Sequence, residues 1–380
     1  MALFGPDHNA FRAHFRAYVE SEITPHADEW EEHAYFPRQL FPEFGSKGFF
    51  GLNRDPAFGG QGLDFGFNAV LAEELPRSKM MGLTLSLLGQ TNIYTPLLER
   101  LGTREQKTQF LEPTIRGQMI GALGVTEPSG GSDIIGMVNT RARDEGDFWV
   151  VSGEKKFITN GPVADYVITL VRTRSEGGPY SLSLMVIPTA LPGFRVKAEL
   201  KKLGLRTSPT GWLEFEECHV PKRMTLGKPH LGHFYLLQNI LEERLVGALA
   251  ALSSAKLVFD DTVKHLQTRH AFRQPLSKLQ AVRHRMSELA ACYESCRRFT
   301  YSVCESFRDG KVEAKEICMI KFLVYETVQN IIERCLQFHG GHGFLEENWI
   351  ARVYRDARAL TIGGGNSELM KDLVASYLKL

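Results

Sequence analysis

The sequence predicts an α+β fold in three parts, and two changes of hydrophobic period predict it. Apolar residues recur at helical spacing over the first third, in short β-rich runs from Gly121, and again at helical spacing from about Leu231 to Leu380. The expected parts are an all-α amino-terminal domain (1–120), a small antiparallel β middle domain (121–230) and a carboxy-terminal four-helix bundle (231–380). A chain of 380 residues can bury a core of that size and divide it among domains.

Each part has its own signature. Phe11, Phe15, Tyr18 and Val19 fall at i, i+4, i+7 and i+8, one apolar stripe of a helix. Ala69 to Leu75 is a second helix, entered from the turn-rich Gly59-Gly60-Gln61-Gly62-Leu63-Asp64, and Thr103-Arg104-Glu105-Gln106 reads as an N-cap with a capping box. The runs Phe148–Val151, Tyr166–Val171, Leu182–Ile187, Phe194–Val196 and Leu213–Phe215 are strands punctuated by Gly and Pro. Helical segments near 233–268, 275–308, 312–339 and 366–379 suffice for an antiparallel bundle.

Composition excludes several classes. Lys+Arg 45 against Asp+Glu 44 gives a net charge of +1, so neither nucleic acid nor an anionic membrane is attracted in general. The six cysteines form no CxxC pair, and Cys292 and Cys296 stand four apart as packing residues on one helix face, which points to a reducing, cytoplasmic compartment. Met1 to Phe15 carries charges and histidines, with no signal or transit peptide apparent, and no apolar run approaches the ~20 residues of a membrane span. His339 and His342 flank Gly340-Gly341 and read as packing or hydrogen-bonding groups, so no metal is expected.

Two runs carry chemistry. In Gly124-Val125-Thr126-Glu127-Pro128-Ser129-Gly130-Gly131-Ser132-Asp133, Pro128 fixes φ, Gly130 and Gly131 admit φ > 0, and the backbone N–H groups with the Ser132 hydroxyl can point at one anionic group. Gly153-Glu154-Lys155-Lys156-Phe157-Ile158-Thr159-Asn160-Gly161 reads as β-turn-β, ending in a hydroxyl and an amide beside an aromatic ring. Alone, a Gly-rich polar stretch is usually just a loop; the ordered pair could cradle a flat, phosphate-bearing cofactor.

The pair resembles the flavin-binding middle domain of the acyl-CoA dehydrogenases, with its Thr-Glu-Pro-x-x-Gly-Ser-Asp and Trp/Phe-Ile-Thr-Asn-Gly. Further matches run in order along nearly the whole chain: Gly102-Thr103 with Glu105-Gln106-Lys107, Lys202 to Ser208, Phe215-Glu216 with Val220-Pro221, Arg269 with Phe272, Gln337 to Phe344, and Tyr354-Arg355-Asp356. The resemblance implies the acyl-CoA dehydrogenase fold, an FAD cofactor and oxidation of an acyl thioester to its trans-2-enoyl form. That reaction needs a base for the α proton, an acceptor for the β hydride and donors to the thioester carbonyl.

Many family members take the base from a Glu just before a Gly-Thr near the carboxy terminus, but Gly364 stands there. Isovaleryl- and long-chain-type members carry it in a Glu-Arg pair on the first long helix of the last domain, which here makes Glu243 the catalytic base. The plain reading of Glu242-Glu243-Arg244 is a solvated helix face. Against it stand the apolar neighbours Ile240, Leu241, Leu245 and Leu249, and Gly247, whose place in a helix interior implies a close approach.

By the same resemblance Leu123, Val125, Thr126, Gly131, Ser132, Phe157, Ile158 and Thr159 line the flavin. Arg269, Phe272, Gln280, Gln337, Gly340 and Gly341 hold the adenine dinucleotide, partly across a subunit interface, and Asn366, Ser367 and Glu368 touch the same cofactor. Ser132, Arg244, Gly364 and Gly365 contact substrate, the Gly364 N–H polarising the thioester. A homotetramer (a dimer of dimers) and an electron-transfer flavoprotein as acceptor are implied. The rivals are a carrier-protein-bound acyl thioester in a biosynthetic pathway, an oxygen-using oxidase or monooxygenase, and a flavin-free scaffold. Phe157 for Trp, Asn366 for Thr, and Ala271 and Arg273 beside Phe272 depart from the family pattern.

Overall fold

The computed structural model describes residues 3–380; Met1 and Ala2, the start of the segment read above for a leader, lie outside the described residues. Eight helices open the chain: α1 (Pro6–Tyr18), α2 (Ala27–Glu32), α3 (Leu40–Ser46), α4 (Phe65–Glu74), α5 (Met81–Gly89), α6 (Thr95–Leu101), α7 (Arg104–Gln106) and α8 (Glu112–Ile115). Pro6 and Asp7 suit the first turn of α1, and its stripe buries Phe15, Tyr18 and, just beyond its end, Val19. The helix expected from Ala69 begins at Phe65, where the Asp64 side chain accepts from the Gly66 N–H at 2.6 Å. The Thr103 capping box is closed in both directions, at 3.2 and 2.9 Å. Between α5 and α6 the chain takes a five-residue π-helical turn, Gln90–Tyr94, which no periodicity announces.

The middle of the chain is one eight-stranded sheet. Its strands are β1 (Gly121–Gly124), β2 (Arg141–Glu145), β3 (Phe148–Thr159), β4 (Tyr166–Arg172), β5 (Leu182–Pro188), β6 (Phe194–Glu199), β7 (Thr210–Pro221) and β8 (Thr225–Leu226), with the short helix α9 (Ile134–Met137) between β1 and β2. The order is β6-β7-β3-β2-β4-β5-β8, and β1 lies on β4. An antiparallel sheet was expected, and it is not wholly so: β1 pairs with β4 in parallel, from Gly121↔Tyr166 to Gly124↔Thr169. The β2–β3 hairpin separates these two strands in sequence, and a connection that long permits the parallel pairing a tight turn forbids.

Two local expectations are also corrected. Gly153 to Thr159 is not β-turn-β but part of the single strand β3, interrupted by register shifts at Val151/Gly153 and Lys156/Ile158. Gly153 sits at φ +145°, where a Cβ would strike the Thr140 backbone, and Phe157 sits at φ +63°. Gly130 and Gly131 do not adopt φ > 0. The turn they close is fixed instead by reciprocal bonds of 3.1 Å between the backbones of Glu127 and Gly130.

The last part contains α10 (Gly232–Thr268), the two-stranded hairpin β9 (His270–Ala271) and β10 (Gln274–Pro275), and the helices α11 (Gln280–Arg308), α12 (Ala314–His339), α13 (Trp349–Ala357) and α14 (Ser367–Tyr377). The four expected helices are α10, α11, α12 and α14; α13 went unread. It carries Asp356, which accepts from the Met81 and Leu205 N–H groups at 3.2 and 2.5 Å and so ties α5, the β part and the bundle together. Burial, with Glu31 nearby, pushes the Asp356 carboxyl up to about 7. The first helices and the bundle share one continuous apolar core, and the sheet with α6 and nearby helical segments forms a second. No helix among the described residues is long and apolar enough to cross a membrane.

Candidate active site

α10 carries Glu242-Glu243-Arg244, and a helix turns its three side chains in three directions. Glu242 is spent on structure: it accepts from Asn92 Nδ2 at 2.9 Å and from Arg54 Nη2 at 3.3 Å. Glu243 instead lines a cavity of about 210 Å³, and its carboxylate has no hydrogen bond or ion pair to any described residue. Burial raises the Glu243 pKa above the ordinary carboxylate range, while the charges of Arg244 and Lys321 pull it back.

The wall opposite is a glycine turn. Gly364 and Gly365 lie at φ +64° and +92°, a conformation other residues rarely adopt. A Cβ built on Gly364 would come 3.3 Å from Glu243 Oε1 and 3.5 Å from Lys321 Cε, so position 364 and Glu243 converge on one point. Arg244, 6% exposed as a residue, holds this turn: its Nε donates to the Gly364 carbonyl at 3.2 Å and its Nη1 approaches Cys318 Sγ at 3.7 Å. Lys321, only 2% exposed, donates to the Leu360 carbonyl at 3.2 Å and stands 4.4 Å over the Tyr325 ring. Burial, aided by Arg244 and opposed by Glu243, draws its amine down to about 7.

Leu85, Leu88 and Gly89 of α5, with Asn92, Ile93 and Tyr94 of the π-helical turn, form another wall, and Thr159 closes it from the sheet. Asn160, at φ +62°, docks the end of β3 on α5 through the Ser86 hydroxyl and, at 3.0 Å, the Ser86 carbonyl. Earlier on the same strand, the buried pair Lys155–Glu127 (2.8 Å) pins the 124–133 loop to β3. Glu127 also accepts from the Asn139 and Thr140 N–H groups at 2.7 and 2.9 Å. Burial alone would raise Glu127, but Lys155 and these donors hold it below the ordinary range; burial brings the Lys155 amine down to about 8. Thr126 therefore lies beside β3, its carbonyl accepting from Lys156 N–H at 2.8 Å.

The structure brings Thr159, Glu243, Arg244 and Gly364 to one cavity, with Gly365 against Arg244, and sets Thr126 beside β3 at Lys156. Gly131 packs on the Thr126 side chain, Ser132 next to it is exposed, and the Phe157 ring is 62% exposed on its bulge. Ile158 points into the sheet core, so only its backbone can reach a ligand, and Leu123 and Val125 are half-buried. Thr126, Ser132 and Thr159 make no side-chain hydrogen bond to a described residue. At the head of α14, Asn366 Oδ1 caps the Leu369 N–H at 2.8 Å, Ser367 Oγ is buried without a partner, and Glu368 is exposed.

A second set lies elsewhere. Arg269, Phe272 and Gln280 sit at the far end of α10, 26 residues from Glu243, roughly 39 Å at the rise of an α-helix. Gln337, Gly340 and Gly341 join them there, because His265 and His339 stack at 4.2 Å. The tips of that end, Phe272 and Phe344, are each 85% exposed. Sequence reasoning missed Lys321, Tyr325, Asn92 and Tyr94. Lys321 had a legible signal, a lysine inside the apolar stripe Ile317, Ile320, Val324 and Val328; the π-helical pair had none. A roomier cleft of about 770 Å³ near Tyr35, Arg38, Glu199 and Lys201 contains no buried titratable group.

Comparison with known proteins matches three family models end to end. The acyl-CoA dehydrogenase N-terminal domain covers residues 5–118, the middle domain 122–218 and the C-terminal domain 232–379. The chain is 33% identical to the long-chain specific acyl-CoA dehydrogenase of Rattus norvegicus, over 99% of this chain and 87% of that protein. It is 32% identical to the short-chain specific enzyme of the same organism, over 98% and 90%. It superimposes on an acyl-CoA dehydrogenase from Geobacillus kaustophilus with a TM-score of 0.96 at 34% identity, each chain fully covered.

Proposed function

The chain belongs to the acyl-CoA dehydrogenase family, FAD-dependent oxidoreductases that act on CH–CH bonds, and from that premise we propose that Glu243 is the base that removes the α proton of an acyl-CoA. The observation that carries this reading is a half-buried carboxylate that faces the cavity without a partner in the chain, aimed at the place a side chain on Gly364 would occupy. Arg244 and Lys321 favour its ionised form against burial, which suits a base working near neutral pH. The Gly364 N–H donates to the thioester carbonyl, a task that needs no side chain. Arg244 fixes the turn that presents it, and the apolar wall of Leu85, Leu88 and Ile93 keeps water away from the carboxylate.

The residues fit FAD. Ser367 Oγ is a buried hydroxyl without a partner, Thr126, Ser132 and Thr159 have uncommitted hydroxyls, and a Cβ at Gly340 or Gly341 would meet only open space. Thr126, Ser132, Phe157 and Thr159 would hold the flavin, with backbone contacts from Leu123, Val125, Gly131 and Ile158. Bound there, FAD supplies the hydride acceptor. Arg269, Phe272, Gln280, Gln337, Gly340 and Gly341 lie beyond the reach of a dinucleotide held near Glu243 in the same chain. We assign them to the cofactor of a neighbouring copy, in a homotetramer built as a dimer of dimers that passes electrons to an electron-transfer flavoprotein.

The test is anaerobic mixing of the FAD-loaded protein with straight-chain acyl-CoAs of graded length while the flavin absorbance is followed. Bleaching by at least one of them is expected; a flavin left oxidised by every thioester overturns the reading.

A further inference from the structure

Gly247 lies one turn beyond Glu243 on the same face of α10 and lines the same cavity. A Cβ there would collide with the Tyr325 hydroxyl, while the ring carbon bearing that hydroxyl is 3.7 Å away, an ordinary contact. The glycine therefore makes room for the oxygen and not for the ring. Glycine inside a helix carries a penalty, and the oxygen it accommodates gains nothing in return. Tyr325 is 6% exposed, borders the cavity and has no hydrogen-bond partner among the described residues for its hydroxyl. The hydroxyl faces the open cavity and uses none of its hydrogen-bonding capacity on the chain, so a ligand group can pair with it. Leu85, Leu88 and Val246 supply apolar lining to the same cavity.

We propose that the Tyr325 hydroxyl is a specificity element that hydrogen-bonds an oxygen carried by the substrate's acyl chain, beyond its β carbon, so that this protein takes hydroxy- or keto-acyl thioesters in preference to plain alkyl ones. The inference rests on the reading of Glu243 as the base of an acyl-thioester site. Burial and the Glu243 charge push the Tyr325 phenol well above its usual range, which keeps it a neutral donor. The nearby cation of Lys321 is turned onto the Leu360 carbonyl.

The test compares hexanoyl-CoA with 5-hydroxyhexanoyl-CoA and 5-oxohexanoyl-CoA as reductants of the FAD-loaded protein, and measures the Kd of the corresponding 2-enoyl products by calorimetry. In the wild type, kcat/KM and affinity should favour an oxygen-bearing chain by about tenfold, the scale of one net hydrogen bond. In Tyr325→Phe the ratio should fall to within about twofold of unity. Gly247→Ala should lower the Tm of the wild type more than that of Tyr325→Phe, because only the hydroxyl stands in its way. Oxidation of hexanoyl-CoA with no preference for oxygen, or a preference that survives Tyr325→Phe, overturns the inference and leaves the proposed function standing. An unmoved ratio with a displaced pH profile assigns the hydroxyl to Glu243 and overturns it equally. A flavin that no thioester reduces overturns both.

Discussion

At the scale of single residues, the site turns on what burial does to charge. Glu243 faces the cavity without a partner, and Arg244 and Lys321 hold its pKa down against desolvation. Glu243→Gln keeps the shape and removes the basicity. Flavin reduction by substrate should slow by ~10²–10⁴-fold or more while FAD and acyl-CoA still bind, as stopped-flow and calorimetry would show. Because a side chain at 364 would meet Glu243, adding Gly364→Glu to that variant should restore part of the rate. Full recovery is not expected, since φ +64° strains any residue with a Cβ. A wild-type rate in Glu243→Gln would remove the assignment.

The pH profile follows from the same groups. The base must be ionised, so the rate falls as pH drops through a pKa that burial has raised; the acid limb should therefore lie above the ordinary carboxylate range. Lys321, whose amine is drawn down to about 7, is charged below that pH and lowers the Glu243 pKa. Lys321→Gln should move the acid limb of the reduction rate to higher pH. A limb that stays in place, or moves down, would show that the two groups do not interact.

At the scale of elements, the 124–133 loop is held by a buried ion pair rather than by its glycines. Lys155→Met would leave Glu127 buried and lacking its cation, a change that typically costs about 3–5 kcal/mol. A lower midpoint in urea is expected, with weaker FAD binding because Thr126 and Ser132 ride on that loop. An unchanged midpoint would mean the pair contributes nothing to holding the loop. The strand that carries Phe157, Ile158 and Thr159 was read correctly in its residues and wrongly in its shape. Periodicity cannot show that two register shifts bend one strand where a turn was expected, because a bulge is defined by the partner strand, here β7.

At the scale of the whole molecule, α10 separates two sets of candidate cofactor residues by roughly 39 Å. A cofactor using both needs two copies of the chain. Light scattering of the FAD-loaded protein should report four chains. Arg269→Ala should weaken FAD binding by roughly 10–100-fold, the worth of a charge-assisted hydrogen bond, without changing the helical content. A monomer that holds FAD with full affinity would remove the intersubunit assignment.

The sequence by itself determined the family, the helix–β–helix order and the Thr103 cap, because each is written in local spacing, turn chemistry or a run of neighbouring residues. Gly247 even announced a close approach one turn from Glu243. Which group approaches was decided only by tertiary structure: Tyr325 comes from α12, 78 positions away in the chain, and Lys321 comes with it. The π-helical turn at Gln90–Tyr94, the parallel seat of β1 and the latch at Asp356 were equally invisible. Each is a contact between segments distant in sequence, and periodicity records only how a segment divides its own faces between core and solvent.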